Sequence, residues 1–284
     1  MTTTSKRSAR AEIARETQEI LQRGRYEVGG RTIDVSAALE RAVARSIAYT
    51  PVDVDELLAR ASRAVRSAAR VPRIDVTGET TLQAGRRLLG VTPRVLCLNF
   101  ASARSPGGGF LSGARAQEES LCRASCLYAT LIANAAYYDA NRAHRDVLYT
   151  DWAIYSPGVP VIRDDAERLL EEPFDVSFVT MPAPNRGAMR RPDEGAVEAT
   201  LRRRVAAVLA IAARHEHDAL VLGAWGCGAF RNDPVMVART FREVLDEPAY
   251  AGAFERVVFA VFEAPSDHGN RAAFEAAFGA NAAT

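Results

Sequence analysis

Lysine is all but missing from this 284-residue chain: Lys6 is the single one, and arginine carries the rest of the positive charge. GC-rich coding accounts for that bias, so it assigns no function. Acidic and basic side chains nearly cancel, leaving a net charge of +1. That removes the electrostatic case for duplex nucleic-acid binding, and any anionic ligand must be gripped locally. Cysteine is scarce too. Cys97, Cys122, Cys126 and Cys227 include no pair at the two-residue spacing of a zinc knuckle or a redox dithiol, which excludes a structural zinc site of that kind. No apolar run is long enough to span a bilayer, and "MTTTSKRSARAEIARETQEI" passes from polar to amphipathic without the apolar centre of a signal peptide. A cytoplasmic, reduced protein with no membrane partner is expected. Of the four histidines, His215 and His217 in "RHEHDAL" lie two apart at a helix end rather than on one helical face, and read as exposed polar residues instead of metal ligands. No metal and no cofactor are expected.

A hydrophobic fraction of 48% with 25% charged residues fits an ordinary globular protein with one main core. From Ser8, Ile13, Ile20 and Leu21 recur at helical spacing up to Gly24, predicting a leading amphipathic helix. "RYEVGGRTIDVS" predicts a hairpin around Gly29 and Gly30, after which Ser36 is read as the cap of a helix through Arg45. Another helix follows Pro51, acidic early and basic late as the helix dipole favours. Past Pro72 the texture changes. Apolar runs at 94–100, 153–162, 174–183, 218–225 and 255–262 read as buried strands, with helices from Glu79 to Leu89, Glu118 to about Ala136, Asp193 to His215, Pro234 to Leu245 and Asp267 to Phe278 between them. This alternation predicts an α/β layered domain over 73–284 behind a mainly helical accessory region over 1–72, with ligands at the carboxyl ends of strands.

Two glycine-rich loops fall at such ends. In "RSPGGGFLSGARAQEES", Gly107, Gly108 and Gly109 lack Cβ atoms, so their amides can approach an anion closely, and a helix starting near Gln117 adds unpaired N–H groups. This suits a phosphate. It is neither a Walker loop, since no Gly-Lys-Ser/Thr follows, nor the Rossmann fingerprint. The second loop, "LGAWGCGAFRND" (222–233), places Gly223, Gly226 and Gly228 after an apolar strand and before Pro234. Two such loops would grip one diphosphate between them. Phe230 reads as a platform against a sugar or base, and Trp225 as packing. Glu118 and Glu119 are adjacent, about 100° apart on a helix, so they cannot flank one bond as paired glycosidase carboxylates do. They need separate jobs, or else they only compensate the helix dipole. A diphosphate nearby favours the protonated form of a carboxyl, which would then act as an acid.

A GGG followed after seven residues by Gln117-Glu118-Glu119 resembles the signature of poly(ADP-ribose) glycohydrolases, and "VLCLNFASARSPGGGFLSGARAQEESLCRASCLY" with "LGAWGCGAFRND" is similar to the bacterial-type branch. The resemblance implies a macrodomain, a mixed sheet between helices that binds ADP-ribose across its crest, with the amino-terminal region as an accessory. It makes Glu119 the catalytic residue, Glu118 the one that orients ribose hydroxyls, Gln117 a support for loop and ligand, and Asn99 a ribose contact. Simple macrodomains carry a second asparagine where this chain has Ser102. Gly107, Gly108 and Gly109 with Gly226, Cys227, Gly228 and Ala229 become the diphosphate loops, Cys227 through its backbone only, and Phe230 packs beside the reacting ribose. The implied activity is a glycoside hydrolase acting on poly(ADP-ribose) and ADP-ribosylated proteins as a monomer. It would release ADP-ribose from the chain terminus and leave the protein-linked unit behind. A non-hydrolytic reader of ADP-ribose is the alternative, but binding alone has no need of a titratable group at the bond. An ATP hydrolase lacks the expected lysine and a magnesium-carboxylate set.

Overall fold

The computed structural model describes residues 3–64, 71–263 and 269–279. Helix α1 (Thr3–Arg23) leads into the expected hairpin of β1 (Arg25–Val28) and β2 (Arg31–Asp34). Helix α2 (Ser36–Ala44) starts at Ser36, but Ser36 is not its cap. Asp34 Oδ1 accepts from the Ser36 backbone N–H at 2.8 Å and from its hydroxyl at 2.6 Å, so the acidic side chain two residues back closes the turn. A short strand β3 (Ile47–Tyr49) precedes α3 (Pro51–Arg63), where Thr50 and Asp53 form a reciprocal capping box and proline opens the first turn.

Strand β4 (Arg73–Thr77), helix α4 (Thr81–Leu89) and strand β5 (Val95–Phe100) follow. The single helix expected from Glu118 to about Ala136 is instead three, α5 (Gln117–Ala124), α6 (Leu127–Ala133) and α7 (Ala135–Ala143). Ser125 breaks it: its hydroxyl donates to Leu121 O at 2.7 Å and accepts from Leu127 N at 3.2 Å, while Cys126 N reaches across to Pro160 O at 2.8 Å. Strands β6 (Ala153–Arg163) and β7 (Leu169–Met181), helix α8 (Glu194–Arg214), strand β8 (Ala219–Leu222), helix α9 (Pro234–Leu245), strand β9 (Arg256–Ala260) and helix α10 (Asn270–Phe278) complete the order. The start expected for the last helix, Asp267, lies outside the described residues.

Seven strands make one sheet in the order β3-β6-β7-β5-β8-β9-β4. From β7 to β4 the neighbours are parallel, and β6 is antiparallel to both β7 and β3. Alternation along the strands divides the core into two layers. Leu96, Leu98, Leu220, Leu222, Val257 and Phe259 face α3, α8, α9 and α10, whereas Val95, Cys97, Ala219, Val221, Val258 and Ala260 face α1, α2, α4, α5, α6 and α7. This is the mixed sheet between helices that the family resemblance implied. Residues on both sides of position 72 enter it, since β3 and β4 are its two edges. No helix among the described residues is long and apolar enough to cross a membrane.

His215 and His217 are not an exposed pair. His215 stacks on Tyr155 with centroids 3.7 Å apart and pairs with Tyr49 Oη at 2.8 Å, while His217 is buried and pairs with Tyr155 Oη at 2.9 Å. Burial pushes both rings down to about 4, so they are neutral packing groups at pH 7.

Candidate active site

Strands β5 and β8 are hydrogen-bonded neighbours, roughly 4.8 Å apart, so the loops leaving their carboxyl ends rise side by side from the crest. The first loop shows why glycines and carboxylates share one short stretch. Gly107 and Gly108 adopt φ of +66° and +58°, and a Cβ built on Gly108 would run into Glu119 Oε1 while lying 3.2 Å from Glu118 Oε2. The carboxylates pack directly on the backbone, which only glycine permits. Gly109 N then donates to Glu119 Oε1 at 3.0 Å.

Each member of the Gln-Glu-Glu run has a separate environment. Gln117 ties the start of α5 to the end of β5: its Oε1 accepts from Phe100 N at 2.8 Å, and its Nε2 donates to Leu98 O at 2.7 Å and Thr81 Oγ1 at 3.1 Å. Glu118 is buried, accepting from Ser102 N at 2.7 Å and Asn99 Nδ2 at 3.2 Å. Burial pushes its carboxyl up to about 8, against those two hydrogen bonds, and the charge of Glu119 adds to the rise. Asn99 is itself buried at the end of β5, its Nδ2 also donating to Thr180 Oγ1 at 3.1 Å. Glu119 differs in one respect: Oε1 is held by Gly109, but Oε2 is buried and has no hydrogen-bond partner.

In the second loop Gly226 has φ of +74°, and a Cβ there would overlap Asn232 Nδ2 and lie 2.7 Å from Ala183 Cβ. A Cβ on Gly228 would meet nothing within 4 Å, so its backbone borders open space. Gly228 and Ala229 are exposed. Cys227 is half-buried, and its thiol is pushed up to about 12 by burial and by the charge of Asp233, which rules out a thiolate nucleophile near neutral pH. Trp225 is fully buried against Phe241, with centroids 6.4 Å apart, as packing. Phe230 is half-buried, its carbonyl accepting from Gly187 N at 2.8 Å and its ring centroid 6.0 Å from that of Tyr149. Asp233 and Pro234 start α9, with Asp233 Oδ1 accepting from Val235 N at 3.0 Å. Among the described residues, no group of three or more His, Cys, Asp or Glu side chains is arranged to hold a metal ion.

The structure thus brings Asn99, the three glycines, Gln117, Glu118 and Glu119 together, and sets the second loop on the neighbouring strand. Sequence reading missed the supports. The backbone N–H of Ser102 anchors Glu118, and its hydroxyl accepts from Arg104 N at 3.3 Å and Ser105 N at 3.1 Å, a turn signal that was available in "ASARS". Thr180 comes from β7, and no local signal identifies it. Helix α1 braces the first loop from outside: Arg7 Nε donates to Ser112 O and Arg10 Nε to Gly113 O, both at 2.9 Å. Buried Arg204 donates to Asp151 Oδ1 at 2.9 Å and Pro182 O at 3.0 Å, fixing the chain beside Tyr149 and the end of β7.

None of the curated proteins searched matches the chain. A solved poly(ADP-ribose) glycohydrolase from Thermomonospora curvata is 50% identical over 95% of this chain and 100% of its own, with a TM-score of 0.92. The same enzyme bound to the inhibitor ADP-HPD is 49% identical, covering 95% of this chain and 99% of that one, with a TM-score of 0.88. A poly(ADP-ribose) glycohydrolase from Deinococcus radiodurans in complex with ADP-ribose is 44% identical over 90% of this chain and 100% of its own, with a TM-score of 0.80. The family model for the catalytic domain of microbial-type PARG matches residues 14–164, from within α1 through the first loop and both carboxylates to the end of β6. With half its residues shared along nearly its whole length, the chain belongs to the microbial-type poly(ADP-ribose) glycohydrolases.

Proposed function

We propose that this protein hydrolyses the ribose–ribose O-glycosidic bonds of poly(ADP-ribose), releasing ADP-ribose from the chain terminus, with Glu119 as the single general acid and base. Family membership and the ADP-ribose and inhibitor complexes of its relatives support the activity. Glu119 Oε2 carries the assignment of the acid. Both oxygens of Glu118 already accept hydrogen bonds, whereas Glu119 uses one oxygen on Gly109 and keeps the other buried without a partner. Leaving such an atom unpaired costs roughly 1–3 kcal/mol, and a sugar oxygen bound beside it would complete the pairing.

Cleavage passes through oxocarbenium-like charge at the anomeric carbon. A diphosphate bent between the two glycine loops would stabilise that charge and favour the acid form of Glu119. Glu119 donates its proton to the leaving ribose oxygen, then removes one from the attacking water. Glu118 and Asn99 orient the ribose hydroxyls, and Phe230 packs on the sugar. Glu119→Gln is expected to lower turnover by about 10²–10⁴-fold or more while calorimetry still detects ADP-ribose binding. Normal release of ADP-ribose by that variant would remove Glu119 from the mechanism, and oligomeric products early in digestion would overturn the terminal mode.

A further inference from the structure

We propose that Arg104, Tyr149 and Arg231 form a clamp for the next unit of the polymer, holding the pyrophosphate that lies just beyond the bond being cut. This rests on the function proposed above. Each unit of poly(ADP-ribose) repeats a diphosphate, so when the two glycine loops hold one, the adjoining unit presents another outside them. Two cations stand at that mouth. Arg104 lies three residues before Gly107, and Arg231 directly follows Phe230; both are exposed. About half of the exposed arginines here sit on a carboxylate, such as Arg94 on Asp218 and Arg202 on Glu243 and Glu247. Among the described residues, neither Arg104 nor Arg231 has an ion pair within 4.0 Å. Two unneutralised guanidinium groups at the rim give the crevice a locally positive sign.

Their backbones are fixed although their side chains are open. Arg104 O accepts from Arg142 Nη1 at 2.7 Å, and Arg231 O accepts from Arg186 Nη1 at 3.4 Å. Tyr149 joins the two loops. The Arg104 guanidinium lies 5.8 Å from its ring centroid, and the Phe230 ring is 6.0 Å away. Tyr149 has φ of +65°, a conformation that a bulky L residue adopts only when its surroundings impose it. Those surroundings are Asn185 Nδ2, which donates to the phenol at 3.1 Å, and the anchor of Asp151 on Arg204. The result is an aromatic wall with the Arg104 guanidinium over Tyr149 and Arg231 next along the chain from Phe230, suited to stack a base or sugar and to pair with phosphate oxygens.

The test compares polymer with product. The double variant Arg104→Gln/Arg231→Gln is assayed on poly(ADP-ribose) across a salt series, ADP-ribose affinity is measured by calorimetry, and Arg23→Gln/Arg60→Gln serves as a charge-matched control on distant helices. The expected result is a KM for polymer raised roughly tenfold, a slope of log KM against log salt reduced by about 1.4 to 2, and unchanged kcat and ADP-ribose affinity. Retained ADP-ribose binding also reports an intact fold. An unchanged KM, an equal loss of ADP-ribose affinity, or the same effect in the control overturns the clamp. If the unmodified protein releases no ADP-ribose at all, the proposed function and the clamp fall together, an outcome distinct from the other three.

Discussion

Gly108→Ala should disable the enzyme out of proportion to the damage it does to the fold. The new methyl group would enter the space of Glu119 Oε1, 3.2 Å from Glu118 Oε2, on a backbone with φ of +58°. The left-handed conformation alone costs about 1–2 kcal/mol for a residue with a Cβ. Displacing Glu119 from Gly109 N–H forfeits a charge-assisted hydrogen bond worth roughly 1.5–3 kcal/mol. Together these lower the melting temperature by about 5–15 °C for a chain of this size. The carboxyl cannot then hold its place, and losing acid–base help raises the barrier by about 3–5 kcal/mol, or some 10²–10⁴-fold in rate. Gly24→Ala is the matching control, with φ of +67° and a Cβ 2.6 Å from Ser36 Cβ, yet away from the site. It should lose comparable stability and keep its turnover. ADP-ribose release at saturating polymer, measured well below both melting temperatures, separates the two. A Gly108→Ala rate within threefold of the unmodified enzyme would refute the idea that the loop holds the carboxylate in place.

Stability should depend on pH in two opposing windows. Folded Glu118 keeps a proton up to about 8 that the unfolded chain releases near 4.5, so its contribution falls as pH rises through that range. His215 and His217 refuse until about 4 a proton that the unfolded chain takes up near 6.5, so their contribution falls as pH drops across that interval. Urea midpoints should therefore decline from pH 6.5 to 8, and Glu118→Gln should flatten that limb; an identical decline in the variant would contradict the burial argument. Asp151→Asn leaves the buried Arg204 guanidinium without its anion and should cost about 3–5 kcal/mol in denaturant unfolding, a change below 1 kcal/mol counting against its anchoring role.

What was legible in the sequence was local. The glycine triplet, the Gln-Glu-Glu run and the second loop are each contiguous, and their chemistry follows from residue type and spacing. The long strands and α8 and α9 announced themselves by apolar runs and end signals. Edge strands did not: β3 has three residues between two helices, and β4 has five, too few for alternation to stand out. The break at Ser125 was hidden because Pro160, whose carbonyl accepts from Cys126 N beside it, lies on a strand far along the chain. The histidines misled for the same reason. Tyr155 and Tyr49, which cover them, are 62 and 166 residues away from the ring each one meets. Thr180 and Tyr149 likewise gain their roles only when separate strands and loops converge.

The first helix is stitched by two guanidinium groups to carbonyls more than a hundred positions downstream, at Ser112 and Gly113. Distance along the chain is therefore a poor guide to what is safe to alter. An affinity handle or fusion partner attached ahead of α1 would pull on the very ribbon that packs against Glu119, and a nascent chain cannot finish that ribbon's brace until both ends have been made.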